Sequence, residues 1–517
     1  NGYGTTADSY NYFLDSAGIR DKIAEQLNGL DVQNVTDLQT RGAAIRQIIL
    51  DAEFPADFEE EIRKGYQELC DTLGYPDVVV AVRSSATAED LPNASFAGQQ
   101  ETYLNISGVD QVVKHAKMCI ASLFTDRAIV YRVENGFDHM KVALSVGVQQ
   151  MVAVRSEAAG VMFTLDTESG FRDVVMINSI YGLGENIVQG KVSPDEFLVF
   201  KPTKAILKRK LGAKKLKMIP GPDSTTEDID VSEADQHRFS ITDEQVLTLA
   251  EWGMAIEEHY GKPMDIEWAL DEDYGTLFIV QARPETVQSQ KDQTCFEEYK
   301  RTEDGEVVIT GTSVGNKIAA GTAKIIEDIS DISGFEDGDI LVTTMTDPDW
   351  VPIMKRSGAI VTDRGGRTCH AAIVSRELGI PCVVGTSNAT EVINHGDELT
   401  VSCAEGDVGY VYRGRLKYEI ETTDVGNLPR PDTKIMMNIG SPEHALTYAQ
   451  LPNDGVGLAR EEFIIDAHIK IHPLALLKFD ELTDEEVRHQ IHELTIGYAD
   501  KSQYFVDKLA EGIALIG

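Results

Sequence analysis

The run Gly365-Gly366-Arg367-Thr368-Cys369-His370-Ala371-Ala372-Ile373-Val374-Ser375-Arg376-Glu377-Leu378-Gly379-Ile380-Pro381 constrains this chain more than any other. Just upstream, Ala359-Ile360-Val361-Thr362 has the apolar, β-branched character of a short buried strand. The glycine pair then punctuates the chain. Thr368 is placed as an N-cap, and the pattern predicts a helix from Cys369 to Leu378. Gly379 falls where a left-handed C-terminal residue is wanted, and Pro381 prevents continuation. His370 therefore sits in a first helical turn, where free N–H groups and the helix dipole favour an anion. The same field disfavours an imidazolium, so the ring should be neutral and nucleophilic near neutral pH. Arg364 and Arg367 flank it and could neutralise phosphate charge. A loop histidine that merely caps a helix is the plain alternative. The convergence of two glycines, two arginines and a helix start points instead to phosphohistidine chemistry, with His370 and Thr368 as catalytic candidates.

A chain of 517 residues with 42% hydrophobic content has room for two to four domains. A net charge of −38 argues against nucleic acid or an anionic membrane as partner. Any nucleotide site must then gather its own arginines and metal ions against an unfavourable mean field. The 6 cysteines contain no C-x-x-C pair, which suggests reduced thiols in a cytoplasmic protein. No apolar run is long enough for a membrane span, and no signal peptide is evident. The chain begins Asn1-Gly2-Tyr3-Gly4 and ends in the apolar pattern Ile513-Ala514-Leu515-Ile516, so a fragment of a longer protein is expected.

The first 75 or so residues are helical by periodicity, with acidic faces. Val78 to Val82 predicts a buried strand, Gly98 to Leu104 a second, and 108–136 helix; a strand-rich stretch from Val142 to Phe200 follows. The basic island from Lys201 to Lys217 is expected to be a solvated surface face. Pro263 to Ala269 and Leu277 to Pro284 predict paired strands joined by an acidic turn at Asp271-Glu272-Asp273. On a strand Asp265 and Glu267 share one face, as do Gln281 and Arg283. Two carboxylates beside an amide and a guanidinium suit Mg2+ and a triphosphate, although a surface salt-bridge ladder has the same composition. A polar linker is expected over 286–306 and a second break near Pro429-Arg430-Pro431, so that any pivot lies near 286–306 and 422–432. Beyond it, Ile435 to Ile439 predicts a buried strand, Pro442 to Gln450 a helix and Gly455 to Arg460 another strand, the opening of a parallel barrel. Arg460 would end that strand on the face where such barrels bind substrate, and it suits a carboxylate or phosphate; an ordinary strand-end ion pair is the alternative.

The segment GGRTCHAAI closely resembles the signature of the phosphoenolpyruvate-utilising enzymes. Val82 to Gln100, Thr164 to Phe171, Gly182 to Glu185, Asp265 to Trp268 and Gln281 to Pro284 resemble the ATP-grasp nucleotide domain of that family. The resemblance runs in order along essentially the whole chain. It implies an α/β and α+β multidomain protein: an N-terminally truncated ATP-grasp domain over 1–287, a swivelling β/β/α phosphohistidine domain over 306–422, and the start of a (β/α)8 phosphoenolpyruvate/pyruvate barrel over 432–517. A full barrel needs about 250 residues, far more than follow Pro431. The resemblance further implies that His370 carries the phosphoryl group on Nε2 and that Arg83 contacts ATP phosphates. Asp265, Glu267, Gln281 and Arg283 would line the nucleotide site, with Mg2+ at Glu267 and Gln281, and Arg460 would bind pyruvate or phosphoenolpyruvate. The implied activity is a phosphotransferase that converts ATP, pyruvate and water to AMP, phosphate and phosphoenolpyruvate, homo-oligomeric when intact. Alternatives are the sister reaction that hands the γ-phosphate to inorganic phosphate, or a phosphorylatable carrier without catalysis of its own.

Overall fold

The computed structural model describes residues 1–517 except 33, 88–100, 153–155, 223, 272–274, 287–294, 330–333, 425–427 and 441. Glu89-Asp90, Gly98 to Gln100, Glu272-Asp273 and the polar run Gln288 to Gln293 therefore lie outside the described residues, as does part of the second expected pivot.

The N-terminal helices Ala7–Ser16, Arg20–Leu27, Val35–Asp51 and Ala56–Leu73 enclose one core. In Ala56–Leu73 the buried residues Phe58, Ile62, Tyr66, Leu69 and Cys70 recur at helical spacing, and Gly74, with φ 77°, ends the helix in the left-handed conformation. The ring of Phe54 meets those of Phe13 and Phe58 edge-on, at 4.7 and 5.0 Å. This core closes against a four-stranded sheet in the order Gly2–Gly4, Leu144–Gln150, Val80–Ala86, Thr102–Ile106. The strand read from Val78 to Val82 thus starts at Val80 and runs on through Arg83.

A second, six-stranded antiparallel sheet carries the predicted hairpin. Its order is Leu277–Pro284, Met264–Asp271, Ser156–Phe163, Val174–Tyr181, Asp195–Phe200, Ala205–Lys210. Helix Asp243–Tyr260 covers one face, where Val246 and Leu249 pack with Met162, Ile177, Phe197 and Trp268. The register defines what the other face displays. One transverse row reads Gln281, Glu267, Val161, Asn178, Glu196, Lys210, and the next reads Arg283, Asp265, Phe163, Met176, Leu198, Lys208. Residues opposite one another on paired strands share a face. One surface therefore holds the nucleotide candidates at one edge and lysines at the other.

The solvated face expected of Lys201 to Lys217 holds only in part: Lys204, Lys210 and Lys215 are exposed, but two other lysines are engaged. Lys208 pairs with Asp407 at 2.6 Å, and Lys214 is fully buried against Asp195 at 2.5 Å. The Asp195 carboxylate also accepts from Gly212 N, Ser240 N and Ser240 Oγ, each at 2.8 Å. Removing one member of so buried a pair costs about 3–5 kcal/mol. The run misled because an edge strand is exposed only if nothing docks on it, and here another unit does.

That unit is a closed barrel of strands in the order Val307–Val314, Cys382–Val384, Ala359–Thr362, Ile340–Thr343, Ile318–Ile325, Glu398–Ser402, Val408–Arg413. Ala323, Ile340, Val342, Val361, Val383, Leu399, Val401 and Val411 fill one side of the sheet, while Leu341 and Ile360 pack outward beneath Val351–Met354 and His370–Leu378. The chain enters and leaves this barrel through one structure. Cys295–Arg301 pairs antiparallel with Tyr418–Asp424, from Cys295 opposite Asp424 to Arg301 opposite Tyr418. The first segment falls in the linker expected over 286–306, and the second spans the end of the domain expected over 306–422 and the start of the pivot; in the described part they form a two-stranded ribbon. Lys300 bridges it to Glu421 at 2.7 Å, and Arg301 lies 4.5 Å over the Tyr412 ring, fixing the ribbon to the barrel.

The C-terminal part begins with Met437–Ile439 and Val456–Ala459, paired in parallel. The expected helix between them is a 3-10 turn, Pro442–His444, followed by Ala445–Tyr448. The first strand is buried only at its end: Ile435 and Met436, just before it, are 50% and 51% exposed, whereas Ile439 is 4% exposed. That end is covered, since Ile439 packs with Ala445, Ile464 and Ile516. Helix Lys501–Ile516 anchors the region to the six-stranded sheet, with Lys508 Nζ donating to Arg209 O and Arg209 N to Glu511 Oε1. Among the described residues, no helix is long and apolar enough to cross a membrane.

Candidate active site

The histidine loop is shaped by glycine. Gly365 has φ 107°, and a Cβ there would stand 2.7 Å from Cys369 Sγ, so both conformation and space exclude a side chain. The helix spans His370–Leu378, and Gly379 ends it at φ 66° as anticipated. The cap differs by one residue. Cys369 N donates to Gly366 O at 3.1 Å, which closes a turn and leaves Cys369, not Thr368, as an N-cap without a side-chain hydrogen bond. Thr368 is buried, and its Oγ1 has no protein hydrogen-bond partner.

His370 is 9% exposed. Burial drives its pKa from 6.5 down to about 3, and the Arg127 cation pushes the same way. The neutral ring was expected, but its main cause is desolvation rather than the helix terminus. Nδ1 lies 3.0 Å from Thr346 Oγ1. If Nδ1–H donates to that hydroxyl, the lone pair is left on Nε2. A depressed pKa means the nucleophilic form persists well below pH 6.5. Single-turnover labelling of His370 from ATP is therefore expected to show no inflection between about pH 5 and 8 that belongs to this ring. A tenfold fall per unit below pH 6.5 would mean that it titrates as an ordinary imidazole.

The two flanking arginines stand in different surroundings. Arg367 pairs with Asp407 at 2.5 Å, and that carboxylate also binds Lys208; together the two cations hold it well below the usual carboxylate range, against burial. Arg364 is exposed. The cation beside His370 is Arg127, from helix Asp126–Glu134, itself 8% exposed. Its Nη2 is 2.7 Å from Glu101 Oε1 and its Nη1 3.7 Å from Asp349 Oδ1. Sequence reasoning missed both Arg127 and Thr346. Each is near the histidine only through tertiary contact.

Four of the nucleotide candidates come together with Arg83. Asp265 and Arg283 form a two-point ion pair, at 2.8 Å to Nε and 2.7 Å to Nη2. Arg83, reaching across from the first sheet, lies 3.5 Å from Glu267, donates to Gln281, and donates to Gln149 Oε1 at 3.3 Å. Glu185 joins them. Burial raises its pKa, and the charges of Glu267 and Glu101 raise it further. Among the described residues no group of three or more His, Cys, Asp or Glu is arranged in ligand geometry, and the Gln281 amide is engaged by Arg83. Glu267 and Gln281, the expected Mg2+ ligands, lie opposite one another on paired strands. Glu101 is paired with Arg127 and Glu267 lies beside Arg83, and the charges of both carboxylates bear on Glu185.

The barrel is seated on the second sheet by further contacts. Glu168 accepts from Arg376 Nε at 3.0 Å and from Gly315 N at 2.7 Å. Arg460 stands apart from this assembly. It is exposed at the end of Val456–Ala459, with its guanidinium 5.6 Å from the Phe463 ring.

Sequence profiles agree with this division of labour. The profile for the pyruvate phosphate dikinase AMP/ATP-binding domain matches residues 1–304, and that for the mobile domain of PEP-utilising enzymes matches residues 335–406. The chain belongs to the phosphoenolpyruvate-utilising enzyme family. Its relatives include the phosphoenolpyruvate synthases of Aquifex aeolicus, 51% identical over 100% of this chain and 67% of that protein, and of Pseudomonas aeruginosa, 53% identical over 100% and 66%. That of Escherichia coli K12 is 50% identical, with 100% and 66% covered. The chain thus spans about two thirds of the length of these relatives.

Proposed function

We propose that the full-length protein is a pyruvate, water dikinase, making phosphoenolpyruvate from ATP, pyruvate and water. The observation that carries this is the buried, neutral His370 on a barrel that docks, through Lys208–Asp407 and Glu168–Arg376, on the sheet bearing Glu267, Asp265 and Arg283. The names of the relatives support it. Nε2 attacks the β-phosphorus of ATP, the bond to the α-phosphate oxygen breaks, and AMP leaves. Water removes the γ-phosphate as inorganic phosphate, leaving phosphohistidine. The enolate oxygen of pyruvate later takes the phosphoryl group and regenerates the neutral ring. Thr346 holds the ring so that Nε2 faces the phosphate, and Arg127 meets the incoming negative charge. Arg83 and Arg283 bind the triphosphate, and the Asp265 carboxylate orients Arg283. The unpartnered Thr368 hydroxyl is available to the transferred group. Mg2+, when bound, would be held by Glu267 and Gln281 and would neutralise triphosphate charge. Arg460 serves pyruvate at the separate barrel site, in a cytoplasmic enzyme.

The test is the fate of the γ-phosphate. In 18O-labelled water the full-length protein should release one labelled phosphate per phosphoenolpyruvate, with no requirement for added phosphate. Dependence on phosphate, with pyrophosphate as product, would assign the sister dikinase reaction instead.

A further inference from the structure

Where the histidine loop meets the nucleotide sheet, the fit depends on absent side chains. A Cβ on Gly366 would stand 2.9 Å from Pro194 Cδ and 3.6 Å from its Cγ, with no other heavy atom within 4 Å. Gly366 is not among the glycines with positive φ, so its own backbone accepts alanine and the obstruction comes from Pro194 alone. Close by, a Cβ on Gly190 would collide with Cys369 Cβ, which shows the same intimacy at a second point. Pro194 cannot readily yield. The next residue is Asp195, locked in the buried pair with Lys214 and bonded to Gly212 N and Ser240. Gly212 itself lies against the Pro194 carbonyl so closely that it too admits no Cβ. The Pro194 ring is thus a fixed stop, braced from behind by a buried ion pair.

We infer that Gly366 and Pro194 are paired positioning residues: their contact sets how near the histidine loop comes to the nucleotide sheet, and so the reach of His370 toward the β-phosphorus. This rests on the function proposed above. It touches only the half-reaction in which the two surfaces are in contact. A misplacement of about 1 Å between reacting groups costs on the order of a hundredfold in rate.

The experiment adds a methyl group and then removes what it strikes, in the full-length protein. Gly366→Ala should lower His370 labelling from β-32P-labelled ATP by about a hundredfold, with labelling from phosphoenolpyruvate much less affected. Adding Pro194→Ala to Gly366→Ala should recover most of the ATP-driven rate, which also shows that the loop folds with alanine in place. Wild-type ATP labelling in Gly366→Ala would overturn the inference. So would equal loss from both donors, or no recovery in the double variant, because either places the damage within the loop. If the unaltered protein took no label from ATP but took it from phosphoenolpyruvate, the proposed function would fall, and the comparison of variants would not be the cause.

Discussion

In the full-length protein, His370→Ala is expected to take no label from ATP or from phosphoenolpyruvate. The wild-type label should be acid-labile and stable in alkali. The loss is total because a covalent intermediate has no substitute carrier: Thr368 and Cys369 adjoin the histidine, but the thiol is buried and its pKa pushed up by desolvation, so no thiolate is available. His370→Ala should fold normally, since its ring makes one side-chain hydrogen bond, to Thr346. A variant that still labels would move the carrier to another residue.

Glu267→Gln should produce the second-largest effect, and a one-sided one. Glu267 pairs with Arg83 and adds to the negative field at Glu185. Its amide would keep the volume and lose the charge that holds both Arg83 and a divalent cation. A lost charge contact of this kind is worth about 3–4 kcal/mol in the transition state, or two to three orders of magnitude in ATP-driven labelling. Labelling from phosphoenolpyruvate should remain near wild type, because under the proposed function that donor reacts at the separate site of Arg460 and does not meet this sheet. Equal loss from both donors would point to a shared site or a misfolded sheet.

Much of this architecture was legible in local pattern. The hairpin of Met264–Asp271 and Leu277–Pro284 follows from alternation, and its register sets Asp265 against Arg283 and Glu267 against Gln281, as the shared-face argument required. The helix after Gly365 is announced by its own punctuation, and Gly379 stops it where expected. What pattern cannot carry is proximity between remote segments. Arg127, Glu101 and Thr346 stand in ordinary stretches of sequence and gain meaning only when the barrel lies on the sheet. Arg367 was assigned to phosphate because it is near His370 in sequence, whereas Asp407, some forty positions on, claims it. Burial was misjudged for the same reason at Lys208 and at Ile435: composition states what a strand prefers, while its neighbours decide what it receives.

The ribbon formed by Cys295–Arg301 and Tyr418–Asp424 has a consequence for how far the histidine must search. A body hung from two independent tethers explores a volume set by the slack in each. Once the tethers are zipped together and pinned to the barrel through Arg301 and Tyr412, they act as one short stalk, and the body's freedom shrinks toward an arc about the stalk's base. Confinement of this kind raises local concentration at the ends of the arc to the millimolar range, on the order of what short linkers provide. Delivery from one site to another then depends little on how much enzyme is present. Under the proposed function it would depend on the stiffness of the stalk in torsion, and the Lys300–Glu421 pair across the ribbon would then bear on timing without touching substrate.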